Sequence, residues 1–173
     1  MTQLLVFSLL LFCAMAHAQS QPQTGDHVRA TRSVEVTING PIGEVFSLFT
    51  PEGETHWIPT WKYTPIYPAS GETVRDMVFR TDEETIWALA LYEPPHRSIY
   101  VHRSPDVLAR IEVECQPIDS NHTHARVTWV LTALTSHGQM IIEQHQSEAE
   151  YTNRAKHWKE WLDEYAVKQG WGR

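Results

Sequence analysis

Two side chains near the C-terminal end of the chain have the types and the spacing that acid–base catalysis requires. His145 and Glu148 are three residues apart in a segment with helical periodicity, so both can lie on one side of a helix. A carboxylate in an apolar pocket has a raised pKa and can act as a general acid or base. His145 and Glu148 are therefore the candidate catalytic residues if they face the interior, whereas another rotation of the helix leaves both in water.

Other metal-binding and nucleophilic side chains have simpler structural explanations. His122 and His124 alternate along a strand beside a turn, without a third ligand at a recognisable spacing. Cys115 continues an alternating apolar row, which predicts a buried small side chain. The sequence contains no Gly-x-Ser-x-Gly, His-Glu-x-x-His or Cys-x-x-Cys motif and no glycine-rich phosphate loop. It therefore predicts no metal site and no cofactor.

The candidate catalytic pair lies in the longest segment with a helical period, residues 139–169. At roughly 1.5 Å per residue, one uninterrupted helix of this length would be about 45 Å long and must lie across something wide. Its second half should belong to the core, whereas its first half is more polar. The residues on its inward side recur at spacings of three, four or seven: Ile141, Glu148, Tyr151, Ala155, Trp158, Leu162 and Tyr165.

An antiparallel sheet is the structure that the rest of the chain predicts. A first strand precedes 39–40, and six more occupy about 62–69, 72–80, 84–92, 97–104, 107–118 and 122–135, separated by turn residues. Alternation places an inner row at Trp87, Leu89 and Leu91 and another at Val127, Trp129 and Leu131. Either His102 or Arg103 must also face inward. A stiff segment with Trp57 and Trp61 caps the core or forms the lip of a pocket.

Composition and charge limit the class of protein. With 173 residues, 42% of them apolar and 20% charged, the chain suits one soluble globular domain. A net charge of −7 and the lack of a basic stripe argue against a nucleic-acid partner. Neither feature predicts an oligomeric state.

An apolar run over residues 4–16, followed by Ala16-His17-Ala18, has the form of a secretory signal peptide. We expect residues 1–18 to be removed and 19–28 to form a flexible leader. A domain over 29–168 and a tail over 169–173 follow. The mature protein is then exported, periplasmic or secreted, without stable membrane insertion. One cysteine would remain, so the domain has no internal disulfide.

The order of these elements resembles the START-like, or SRPBCC, superfamily. The segments that carry the likeness are 41–46, 49–61 and Leu131-Thr132-Ala133-Leu134 before Gly138. The resemblance implies an α+β helix-grip fold. In this fold, a curved antiparallel sheet wraps around a long C-terminal helix, with two short helices after the first strand. It also implies a cavity between helix and sheet that takes a hydrophobic small molecule.

Two functions are compatible with such a cavity. The first is transport or sensing of a hydrophobic or aromatic small molecule or lipid. The second is a cyclase- or dehydratase-like reaction on a similar ligand, with His145 and Glu148 as the catalytic pair. The residues expected to bind the ligand are Trp57, Trp61, Trp87, His102, Trp129, Glu148 and Tyr151.

Overall fold

The structure is a computed structural model that describes residues 28–171, with the side chain of His145 excepted. Its strands are β1 (Arg29–Asn39), β2 (Thr64–Tyr67), β3 (Val78–Arg80), β4 (Ile86–Glu93), β5 (Arg97–Arg103), β6 (Val107–Pro117) and β7 (His122–Ala133). Its helices are α1 (Ile42–Ser47), α2 (Pro51–Glu54), α3 (Ser136–His145) and α4 (Glu148–Gln169). No helix in this part of the chain is long and apolar enough to cross a membrane.

The seven strands form one antiparallel sheet in the order β1-β7-β6-β5-β4-β3-β2. Strands β2 to β7 follow one another as a meander, and β1 pairs with β7 along its whole length. Alternation in β6 and β7 places one residue in two on the helix side, where all but Pro117 at the end of β6 are buried. The predicted fold class is therefore confirmed, with two short helices after β1 and a long helix at the C-terminal end.

The predicted inner row of Trp87, Leu89 and Leu91 is wrong at Leu91. Leu89 pairs with Tyr100 and is buried, but the register shifts before Leu91, which pairs with Ile99. A bulge inserts one extra residue and reverses the faces that follow it. Tyr92 takes the inner position instead and packs against the ring of Phe46 at 5.9 Å. The predicted strand 72–80 also shortens to β3.

The predicted single helix over 139–169 is in fact two helices that break at Gln146 and Ser147. Gln146 has φ −129° and ψ 37°, and the Ser147 hydroxyl accepts a hydrogen bond from the Glu150 amide at 3.3 Å to cap α4. The carbonyl freed at Gln146 accepts from Arg32 Nε at 2.7 Å, and the Tyr151 hydroxyl donates to Gln146 Oε1 at 2.8 Å. These contacts stabilise the break because they satisfy the groups it exposes.

The C-terminal helix α4 covers the sheet and buries Tyr151, Trp158, Leu162 and Ala166. It ends at Gly170, whose φ of 76° suits glycine, and the amide of Trp171 donates to the Ala166 carbonyl at 2.9 Å. The Trp171 ring meets that of Tyr165 edge-on at 5.6 Å. The chain therefore remains packed against the domain as far as Trp171.

Candidate ligand-binding cavity

A cavity of about 560 Å³ lies between α4 and the sheet. This volume falls within the range of roughly 300–1,000 Å³ that small-molecule sites occupy. It is partly open to solvent and has three walls: the segment around α2, the inner face of the sheet, and one face of α4. Each wall follows from a pattern in the sequence.

The first wall is formed by α2 and the turns that follow it. Pro51, Glu54, Ile58 and Trp61 line the cavity, at spacings of three, four and three residues. The backbone continues in helical turns past the end of α2, since the Ile58 amide donates to the Glu54 carbonyl at 2.9 Å. Four side chains therefore share one face, with Glu54 among apolar neighbours.

The sheet supplies an apolar and aromatic wall. Alternation brings one side chain in two to the inner face of each strand, so the lining residues come from five neighbouring strands. They are Phe79, Trp87, Tyr100, Ile111, Val113, Val127 and Trp129.

Helix α4 supplies the third wall, which has a mixed character. Its lining residues recur at helical spacings of one or three: Glu150, Asn153, Arg154, His157, Trp158 and Trp161. The Arg154 guanidinium lies over the Tyr151 ring at 4.4 Å and over the Trp129 ring at 5.4 Å, which are cation–π distances. His157 stacks on Trp161 with 5.8 Å between ring centroids. Polar groups therefore enter the cavity mainly from α4.

Aromatic side chains hold three backbone carbonyls, two just before α2 and one at its first residue. Trp57 Nε1 donates to the Leu48 carbonyl at 2.8 Å, and the Tyr100 hydroxyl donates to the Phe49 carbonyl at 3.1 Å. Trp61 Nε1 donates to the Pro51 carbonyl at 2.9 Å. The backbone of Gly53 lies so close to Ser47 and Leu48 that a Cβ would meet the Ser47 oxygen at 2.0 Å. This segment, 48–54, is fixed tightly.

Glu54 is the acidic group of this segment and faces the cavity. Glu54 is half-buried, and within residues 28–171 its carboxyl accepts no hydrogen bond and has no cationic partner. Burial among apolar and aromatic groups penalises the carboxylate and raises the pKa of Glu54 from an ordinary 4.5 to about 8. At neutral pH the carboxyl is therefore mostly protonated, and it can exchange a proton near that pH.

Tyr100 is the residue of the sheet whose hydroxyl is influenced by the charge of Glu54. Burial raises the pKa of Tyr100, and the negative charge of Glu54 raises it further. The hydroxyl stays protonated and already donates to the Phe49 carbonyl. It therefore leaves Glu54 without a donor.

Of the residues predicted to bind a ligand, Trp61, Trp87 and Trp129 line the cavity. Trp57 and Tyr151 do not, because each lies one layer behind the surface of the cavity. Trp57 packs edge-on against Trp158 at 5.2 Å, and Tyr151 packs edge-on against Trp129 at 5.0 Å. These two residues face inward as predicted, but they belong to the packed core.

His102 also lies behind the cavity wall. It faces inward, while Arg103 is exposed, and its ring stacks on Trp87 with 4.2 Å between centroids. Burial lowers the pKa of His102 from 6.5 to about 4, against an opposing effect of Asp82. Its Nδ1 has no hydrogen-bond partner within the described chain. His102 is thus a neutral ring that supports Trp87.

Of the predicted catalytic pair, Glu148 is not among the described residues that line the cavity. The side chain of Glu148 is 80% exposed and pairs with Arg32 at 3.2 Å, on the outside of the break between α3 and α4. His145 is described only as the last residue of α3. Because Ser147 caps the start of a separate helix, α4, the side chain of Glu148 points into solvent. Glu148 therefore has neither the apolar surroundings nor the position that acid–base chemistry required.

Metal and thiol chemistry find no support among the described residues. No group of three or more His, Cys, Asp or Glu in this part of the chain is placed to hold a metal ion. His122 pairs with Asp119 at 2.8 Å, and His124 lies 3.3 Å from Glu35. Burial raises the pKa of the Cys115 thiol to about 12, which disfavours the reactive thiolate.

Solved structures with the same architecture include norcoclaurine synthase of Thalictrum flavum. A point mutant of this enzyme with a transition-state analogue has a TM-score of 0.60 at 9% identity, covering 84% of this chain and 99% of the synthase chain. Its complex with dopamine and hydroxybenzaldehyde has a TM-score of 0.57 at 9% identity, covering 99% of this chain and 100% of the other. The chain has the helix-grip fold.

A bacterial helix-grip structure is similar to the same degree. The protein from Rhizobium leguminosarum has a TM-score of 0.57 at 15% identity, covering 79% of this chain and 95% of that one. No protein-family model matches the chain, and no curated protein matches it by sequence. At these identities the likeness concerns the fold, so the START-like assignment remains a prediction.

Glu54, the most distinctive group of the cavity, was not among the predicted site residues. Its segment has only four helical residues, too few to show a period by themselves. The signal lies in the longer series Pro51, Glu54, Ile58 and Trp61, in which an acidic residue occupies a position on an otherwise apolar face.

Proposed function

We propose that the protein binds a hydrophobic or aromatic small molecule or lipid in the cavity between α4 and the sheet, as a carrier or sensor. The observation that carries the proposal is the cavity itself, with about 560 Å³ inside a domain of ordinary size. The cavity is partly open to solvent, so its aromatic and apolar lining contacts water when no ligand is bound. A concave, mostly apolar surface of this size with a few polar groups is typical of a small-molecule site.

The aromatic wall is already held in place without a ligand. Trp61 Nε1 donates to the Pro51 carbonyl, and Trp87 Nε1 donates to Thr81 Oγ1 at 3.1 Å. Trp87 also lies between Phe79, at 5.5 Å, and His102. A preformed wall lowers the entropy that is lost when a ligand binds.

The helix-grip relatives support an aromatic ligand. Norcoclaurine synthase, which shares the fold, has been solved with dopamine and hydroxybenzaldehyde, two small aromatic molecules. The present cavity offers rings from all three walls, among them Trp61, Trp87 and Trp158. Aromatic side chains provide large contact areas at a small cost in rotamer entropy.

The cyclase- or dehydratase-like alternative now depends on Glu54. The specific observation in its favour is a carboxyl that faces the cavity and exchanges its proton near neutral pH. The alternative cannot rest on Glu148, which lies on the surface. An enzyme would lose turnover in Glu54→Gln while its binding of an aromatic substrate persisted.

The proposal is tested by filling the cavity from the sheet side. Ile111 lines the cavity, whereas Leu108, on the same strand, is exposed on the opposite face. We would titrate the wild type, Ile111→Phe and Leu108→Phe with indole, 2-phenylethanol and decanoate, following tryptophan fluorescence and binding heat.

At least one compound should bind the wild type with a dissociation constant below 1 mM, which is about −4 kcal/mol. Ile111→Phe should weaken that binding about tenfold or more, and Leu108→Phe should not change it. The urea midpoint of each variant shows whether the variant is folded, so that a loss of binding through unfolding can be recognised. The absence of binding by the folded wild type, or equal binding by both variants, would refute the proposal.

A further inference from the structure

We infer that the cavity selects an aromatic amine in its ammonium form, with the carboxylate of Glu54 as the counter-ion. This inference rests on the proposed binding function and specifies the chemical class of the ligand. It follows from three features of the cavity: an acid without a protein partner, the ring faces of the aromatic wall, and the distribution of charge.

The first feature is the isolation of the Glu54 carboxyl. Buried polar groups are nearly always hydrogen-bonded, and buried charges are nearly always paired. Within residues 28–171 no protein group bonds the Glu54 carboxyl, although it faces the cavity. Its place is fixed by α2, which is held tightly against Ser47 and Leu48. The complementary group is therefore expected from the ligand.

The second feature is the state of the polar tips on the aromatic wall. The indole N–H of Trp61 and that of Trp87 donate to protein oxygens, as does the Tyr100 hydroxyl. These side chains offer the ligand ring faces and carbon edges rather than donors. Aromatic faces attract cations, most strongly those of indole. The ring faces of these side chains therefore favour a cationic ligand.

The third feature is the charge that faces Glu54 from the packed elements. Tyr100 of β5 is neutral, and α4 contributes Glu150, Arg154 and His157 to the lining. The formal charges of Glu150 and Arg154 cancel. The Arg154 guanidinium already stacks on the Tyr151 ring. The chain as a whole carries a net charge of −7, which favours the approach of cations.

Binding of an ammonium ion requires the ionised form of Glu54. Because burial raises the pKa of Glu54 to about 8, the carboxyl releases a proton when the cation binds at lower pH. The ionised fraction of such a group rises roughly 50-fold from pH 6 to pH 8, and the affinity for the cation should rise by the same factor. A neutral acceptor would show the opposite trend, since it prefers the protonated carboxyl and would be lost above pH 8.

The experiment compares 2-phenylethylamine with 2-phenylethanol, two molecules of the same shape that differ in charge. Isothermal titration calorimetry at pH 6, 7 and 8, in two buffers of different ionisation enthalpy, gives both the affinity and the number of protons released. The variants are Glu54→Gln and, as a matched control, Glu52→Gln, an exposed carboxyl on the same short helix.

For the wild type we expect the amine to bind at least tenfold more tightly than the alcohol at pH 8. Its affinity should fall about 50-fold at pH 6, with close to one proton released per amine bound at pH 6. Glu54→Gln should lose the preference for the amine and still bind the alcohol. Glu52→Gln should have the same affinities as the wild type for both compounds.

Two outcomes overturn the inference in different ways. If the alcohol binds as well as the amine and no proton is released, the ammonium selection is wrong while the cavity still binds ligands. If neither compound binds and the panel of uncharged and acidic compounds also fails, the binding function itself is wrong. Should Glu54→Gln not fold, the wild-type comparison of amine with alcohol, together with the proton count, still decides between these outcomes.

Discussion

Replacing Glu54 with glutamine should change how the stability of the protein depends on pH. The protonated Glu54 carboxyl and a glutamine amide have nearly the same shape. The substitution therefore removes the titratable group and changes the packing little. Burial raises the pKa of Glu54 to about 8 in the folded protein, compared with an ordinary 4.5. A raised folded pKa gives stability that is complete below pH 4.5 and is lost as the pH rises through 8.

The size of the effect follows from the two pKa values. Between pH 5 and pH 9 the folded protein releases its proton from Glu54, while the unfolded chain is largely ionised throughout. Integrating the difference gives a loss of about 4 kcal/mol of wild-type stability over this range that Glu54→Gln does not share. Since a domain is typically stable by roughly 5–15 kcal/mol, the difference is easily measured.

The measurement is urea unfolding of the wild type, Glu54→Gln and Glu52→Gln at pH 5, 7 and 9. Glu54→Gln should be close to the wild type at pH 5 and more stable than the wild type by about 4 kcal/mol at pH 9. Glu52 is exposed and accepts a hydrogen bond from the Tyr63 hydroxyl at 3.0 Å, so its variant should parallel the wild type. Parallel curves for Glu54→Gln and wild type would show that water reaches the carboxyl and that the cavity is not apolar around it.

Three further predictions concern the core, the acid side of the pH profile and export. Trp158→Ala should lower the free energy of unfolding in urea by about 3–5 kcal/mol, because Trp158 is buried against three aromatic rings. The control Lys159→Ala breaks a surface ion pair with Asp163 that is worth about 0–1 kcal/mol. Equal urea midpoints for the two variants would contradict this prediction. His102 has a pKa of about 4 in the folded protein and an ordinary value of 6.5, so the stability that it contributes above pH 6.5 is lost as the pH falls towards 4. The wild type should therefore lose about 2 kcal/mol of stability between pH 7 and pH 5, and His102→Phe should not. If His102→Phe loses as much stability as the wild type, burial of His102 is not the cause. We also propose that the protein is exported with cleavage before Gln19, in a segment outside the described residues; the intact mass of the mature protein should start at Gln19, and retention of Met1 would disprove it.

The fold could be predicted from the sequence because the patterns that specify it are local. Val127, Trp129 and Leu131 occupy every second position, and a strand with one buried face must place them together on the core side. Leu91 shows where this reasoning fails, since nothing in the local sequence marks the bulge that reverses its face. The break at Ser147 did have a signal, because Ser147 and Glu150 have the spacing of a capping box, but it lay within a longer helical period.

The candidate site was harder to predict because facing inward and lining a cavity are different properties. Tyr151 and Trp129 both point inward, yet only Trp129 reaches the cavity, since Tyr151 packs behind it. Periodicity gives the direction of a side chain but not the layer in which it lies. Glu54 was missed for a related reason: its surroundings come from strands distant in sequence, so its burial follows only from the assembled fold.

The hydrogen bonds that hold segment 48–54 divide the cavity into a fixed part and an adaptable part. The carbonyls of Leu48, Phe49 and Pro51 are each bound by a different aromatic side chain, so substitutions there would disturb several parts of the fold together. Asn153 and His157 line the cavity from the exposed side of α4 and make no side-chain hydrogen bond within the described chain. Substitutions on α4 alone would therefore reshape the cavity, while the acid at the other wall kept its position and its proton affinity.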